Sequence, residues 1–101
     1  MQDTIRSFMR IRSLYDFMYE IYRGFPVQVL CEIFFTETET QNRFGPEKLI
    51  RIAEVQILDI LDKSNNSVWT TYQGLVPDML DHFHRAESKK AIEAFKFQRQ
   101  A

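Results

Sequence analysis

The residues of this chain that could do chemistry are few. His82 and His84 stand two apart with Asp78 four before His82, Cys31 is the only cysteine, and Glu37/Glu39 and Asp59/Asp62 are short-range carboxylate pairs. A zinc site takes about four donors, water included, and Asp78 with His82 supplies two with no further ligand signposted. No metal is expected, and a solvated histidine beside an aspartate accounts for the pair. Cys31 lies among Leu30, Ile33 and Phe34, where a thiol is a small hydrophobe rather than an activated thiolate. A serine or cysteine nucleophile would need a base and a third, orienting group. The carboxylate pairs are explained by solvation. Without a constellation that meets the geometric demands of an active site, the expectation is a non-enzymatic protein with no cofactor and no small-molecule substrate.

Two other groupings bear on binding. Arg85, Lys89, Lys96 and Arg99 follow steps of four, seven and three near the C-terminus, with Lys90 close by, and Arg6 and Arg10 are four apart near the N-terminus. On helices these are basic strips that could hold phosphates, although cations in a last helical turn are favoured by the helix dipole alone. Tyr15, Tyr19 and Tyr22, with Phe17 between them, combine large apolar bodies with polar tips, which suits surfaces that are wet before binding and dry after it. These four residues are the expected protein interface. A helix-turn-helix reading of residues 46–63 fails because its second half shows Asp59 and Asp62 where a DNA reader needs Arg, Lys, Asn or Gln.

The elements that must position these residues are punctuated by three glycine and proline pairs: Gly24 with Pro26, Gly45 with Pro46, and Gly74 with Pro77. Between them, apolar residues recur at three-and-four spacing. The first segment carries Ile5, Phe8, Met9, Ile11, Leu14, Tyr15, Met18, Ile21 and Tyr22. The spacing predicts four helices near residues 3–23, 26–36, 46–63 and 77–98, packed around the third as a compact, mostly α domain over residues 1–101. Ser64-Asn65-Asn66-Ser67 reads as a turn. Residues 27–40 and 68–73 have strand chemistry as well, and the strict Thr/Glu alternation from Thr36 to Thr40 is a strand period or an exposed linker. Pairing of those segments as a short β hairpin would make the fold α+β and winged-helix-like.

Composition agrees with one ordinary globular domain: 101 residues, 45% hydrophobic, 27% charged, net charge −1. Nine Phe, four Tyr and one Trp are a heavy aromatic load for a core of that size, which points to an interface. The near-zero charge supplies no field for recruiting nucleic acid or an anionic membrane. One cysteine excludes an internal disulfide. Arginines interrupt the apolar N-terminal residues, so the chain reads as cytoplasmic, beginning at its own Met1 without a signal peptide or a membrane span. The expectation for function is a small regulatory or adaptor protein, a homodimer or a hetero-complex, acting through a helical aromatic interface. The second expectation is a dimeric DNA-binding transcription regulator using Arg6, Arg10, Arg85, Lys89, Lys96 and Arg99.

Overall fold

The computed structural model describes residues 4–100, without the side chains of residues 4–7, 42 and 100. Three long strands, β1 (Thr4–Tyr22), β2 (Phe25–Asn42) and β3 (Gly45–Leu61), form an antiparallel meander in the order β1-β2-β3. The chain then turns back through α1 (Trp69–Tyr72) and a 3₁₀ turn (Gln73–Leu75) into α2 (Val76–His82), a π-helical turn (Phe83–Glu87) and α3 (Ser88–Gln100), which lie as one helical layer against one face of the sheet. The longest dimension is 52 Å.

This overturns the expected four-helix domain: the first three segments are strands, and only the last is helical. The winged-helix alternative fails as well, since the sheet is built from residues 4–61 and residues 69–72 are helical. The physical reason is a period of two that the three-and-four spacing hid. Met9, Ile11, Tyr15, Phe17 and Tyr19 on β1 and Val27, Val29, Cys31, Ile33 and Phe35 on β2 share one face by strict alternation. Phe8, Leu14, Met18, Leu30 and Phe34 add apolar residues on the other face. With both faces partly apolar, helical spacings appear by accident. Length compounded this, because runs of 17 to 19 residues are common for helices and long for strands. The Thr36–Thr40 alternation is the continuing strand period of β2 rather than a linker.

Two-residue turns join the strands at Arg23-Gly24 and Arg43-Phe44, and Gly24 (φ 83°) and Gly45 (φ 115°) occupy backbone conformations that a Cβ disfavours. After β3, Asp62 Oδ1 accepts from the backbone N–H groups of Ser64 and Asn66, and Asn65 takes the left-handed conformation (φ 63°). Ser67 Oγ donates to Asp59 Oδ1 (2.7 Å) and Val68 N to Ile60 O (2.8 Å), tying the return to the end of β3. Pro77 sits in the first turn of α2, where its missing N–H costs nothing.

The core lies between sheet and helix. Phe17, Val27, Val29, Cys31, Ile33, Phe35, Ile57 and Ile60 meet Met79, Phe83, Ala91 and Phe95. Fully burying side chains of this kind is worth about 1.5–3 kcal/mol each. The inward helical residues are four, eight and four apart, and each four-residue step overshoots a 3.6-residue turn by about 40°. The wider π turn between Phe83 and Glu87 takes up part of that drift, so Met79, Phe83, Ala91 and Phe95 all reach the sheet.

Candidate interaction surface

The helical layer covers one face of the sheet and leaves the other open. On the open face β1 presents Phe8, Arg10, Arg12, Leu14, Asp16, Met18 and Glu20, opposite Thr38, Thr36, Phe34, Glu32, Leu30, Gln28 and Pro26 of β2. Leu14 is 72% exposed, Phe8 64% and Met18 57%. β3 adds Leu49 and, at a bulge, Leu58. Leu14, Leu30 and Leu58 are the apolar walls of a hollow of about 310 Å³ on this face, with Asp16 at its rim. Polar contacts are interleaved with them: Gln28 Nε2 donates to Asp16 Oδ2 at 2.9 Å, and the Arg10 guanidinium lies 5.7 Å from the centre of the Phe34 ring. Exposed apolar side chains are thus grouped on one face of the sheet rather than scattered singly.

The two edges of the sheet differ. β3 is interrupted by extra residues at Ala53 and Leu58, where its register against β2 shifts, and its end is joined by the bridge from Leu61 to Ser67. Bulges and a covering segment are the usual means of blocking an edge. β1 runs without a shift from Ser7 to Glu20, and among the described residues no strand pairs with its outer side.

The residues expected to act from the sequence are distributed as follows. Tyr15, Phe17, Tyr19 and Tyr22 fall on β1 and face the helical layer. Tyr15 Oη donates to Glu87 Oε1 (3.0 Å) and meets Phe83 edge-on. Burial, then that hydrogen bond and the charge of Glu87, push the Tyr15 phenol up to about 12. Phe17 is buried beneath His82, with ring centres 5.8 Å apart, and Tyr19 meets His82 edge-on. Beyond a bulge near the end of β1, Tyr22 stacks on Phe25, which touches Tyr72.

Cys31 is buried in the core, where burial raises its thiol to about 11, which suppresses the thiolate that chemistry would need. The side chain of Arg6 lies outside the described residues. Arg10 is on the open face, so the sheet separates it from the helical cations. Arg85 pairs with Asp81 (2.8 Å), and Lys89 is exposed on α3. Lys96 and Arg99 line a groove of about 550 Å³ with Glu37, Lys48, Ile50 and Gln98. There Glu37, 7% exposed, accepts from Arg99 (2.7 Å) and pairs with Lys48 (3.6 Å), so its carboxylate fastens α3 to β2 and β3. These placements bring Lys96 and Arg99 together and leave Arg85 and Arg10 apart from them.

Sequence reasoning missed Leu14, Met18, Leu30 and Leu58 as a surface, and Glu37 as a fastener. The signal that could have found the surface is the odd/even alternation, which assigns each residue of β1 and β2 to a face. Compared with protein-family models, with curated proteins and with solved structures, the chain matches none of them.

Proposed function

We propose that this chain is a non-enzymatic regulatory or adaptor protein that works by binding protein on the sheet surface its helix leaves uncovered. The observation that carries the reading is the exposure of Leu14, Met18 and Phe8 on a sheet whose other face is already sealed by Met79, Phe83 and Phe95. Exposed aromatic and Met side chains set beside Arg are the residue types enriched at protein interfaces. A cytoplasmic setting belongs to the same proposal, and a lone buried thiol suits a reducing compartment. Among the described residues, no helix is long and apolar enough to cross a membrane. The nucleic-acid reading has weaker support, because Arg10 and the helical cations lie on opposite sides of the sheet.

The test is affinity capture from the native host with the wild-type chain, the open-face pair Leu30→Lys/Leu58→Lys, and the helix variant Lys89→Glu, with and without nuclease. Circular dichroism first checks that each variant is folded. The expected outcome is a protein partner that survives nuclease and Lys89→Glu and is lost with the open-face pair. Partners indifferent to the open-face pair, or lost with nuclease, overturn the reading.

A further inference from the structure

Resting on that interaction reading, we infer that the outer edge of β1 pairs antiparallel with β1 of a second copy of this chain, with Ser13 at the two-fold axis, joining two three-stranded sheets into one of six. The argument begins with the contrast between the edges. β3 carries two bulges and a covering segment, whereas β1 offers an unshifted ladder from Ser7 to Glu20. A long regular edge without such devices is a template for another strand.

The order of charges along β1 says which strand. On the open face Arg10 and Arg12 precede Ser13, and Asp16 and Glu20 follow it. Antiparallel self-pairing about Ser13 sets each residue opposite the one whose number completes 26, as follows from the two-fold symmetry. Arg10 then faces Asp16 of the other copy, and Phe8 faces Met18. On the helical side Ile11 faces Tyr15 and Met9 faces Phe17, with the small Ser13 meeting itself at the axis. Directly opposed side chains of opposite charge, and aromatic with apolar ones, are the pairs that stabilise sheets. Each occurs twice by symmetry.

Each neighbouring antiparallel register gives up the Arg10–Asp16 pair; the one centred on Leu14 sets Arg12 opposite Asp16 instead. Centring on Arg12 sets that cation against itself, and centring on Leu14 sets Phe8 against Glu20. A slip of one residue puts every side chain on the wrong face. Parallel pairing in register would oppose Arg10 to Arg10. The pairing also covers what the single chain leaves open, since Met9, about half exposed, would lie beside Phe17 and His82 of the other copy. The edge from Phe8 to Met18 supplies on the order of ten main-chain hydrogen bonds.

The experiment combines light scattering with cross-linking on the full chain. The wild type is expected to be a dimer at NMR concentrations. Arg10→Asp and Asp16→Arg should each raise the dimer dissociation constant tenfold or more, and the double variant should recover most of the loss, because the reversed pair still matches across the axis. In a Cys31→Ala background, Ser13→Cys should form an intermolecular disulfide under mild oxidation, since Cα atoms of directly opposed residues lie within disulfide reach. Asp16→Cys, six residues from its own copy's partner position, should not. A monomeric wild type overturns the inference, as does a dimer in which Ser13→Cys fails to cross-link and the double variant is no better than the single ones. A monomer that still loses its captured partner with Leu30→Lys/Leu58→Lys sinks this inference alone. A dimer with no captured partner sinks the adaptor reading and leaves the pairing standing.

Discussion

Phe34 and Phe35 are neighbours in sequence and lie on opposite faces of the same strand. Phe35 is 1% exposed and stacks on Phe95 with ring centres 4.2 Å apart, while Phe34 is half-buried beneath the Arg10 guanidinium. The difference teaches that the type of a single residue does not tell which side of this sheet it faces. The helical layer makes one side the core, by bringing Met79, Phe83, Ala91 and Phe95 to one face only. What remains on the other side still carries Phe8, Leu14, Met18, Leu30 and Phe34, but they are interleaved with Arg10, Arg12, Asp16 and Glu32. A face alternating in this way stays solvated in the single chain.

The comparison breaks most sharply at that pair of phenylalanines. Phe35→Ala should lower the unfolding free energy by about 3–5 kcal/mol, the usual cost of emptying a well-packed aromatic site. Phe34→Ala should cost about 1 kcal/mol, for a ring that loses only part of its burial. Urea titrations of both variants measure the difference. Equal losses would mean that the open face is covered in solution by something as complete as the helix.

Glu37 is the next step down. It stands on the covered face and interrupts the apolar series of β2, held by Arg99 and Lys48, whose own side chains reach water. Glu37→Gln should cost about 1 kcal/mol, below the range for a buried charged hydrogen bond because both cations are solvated once released. The loss should shrink as salt is added. Insensitivity to salt would mean that the carboxylate packs rather than pairs.

These effects also show how much was legible in the sequence. The C-terminal helix was legible from Pro77, the apolar steps and the cations of its last turns, and the turn at Ser64–Ser67 from its short polar side chains. The strands were not, because Phe8, Leu14 and Met18 fill the gaps between the inward residues of β1 and produce helical spacings. Val27, Val29, Cys31, Ile33 and Phe35 alternate without exception and are rich in β-branched and aromatic types, so β2 carried the better signal. The sequence groups Tyr15, Phe17, Tyr19 and Tyr22 as one aromatic interface; the first three share a face by strand rather than helical geometry, and Tyr22 follows a bulge near the end of β1. The basic residues could not be grouped correctly from spacing, since a strand intervenes between Arg10 and the helix.

On the open face, Leu14→Thr and Met18→Thr should change the stability of the single chain by less than about 0.5 kcal/mol, because exposed strand positions accept β-branched polar residues. The same variants should weaken association. Denaturation and light scattering on the same samples separate the two effects. A large loss of stability without a change in association would return these residues to the core.

A pH-dependent effect lies at the margin of the covered face, where Tyr15 reaches from the edge strand to Glu87. Its phenol is raised from 10.0 to about 12 in the folded chain, chiefly by burial, so folding favours the protonated form. That contribution is fully present below pH 10 and is lost as pH rises from there through about 12. Cys31, raised from 9.0 to about 11 by burial, adds a loss of the same sign that begins about one pH unit lower. Tyr15→Phe removes the hydrogen bond, worth about 0.5–1.5 kcal/mol at neutral pH, and with it the upper part of the alkaline loss. The stability gap between wild type and Tyr15→Phe should therefore narrow above pH 10, while the earlier decline owed to Cys31 persists in both and disappears with Cys31→Ala. Urea titrations at stepped pH measure it. Curves for wild type and Tyr15→Phe that stay parallel into that range would mean the phenol is solvated, and that the seal between sheet and helix ends inside Tyr15 rather than at it.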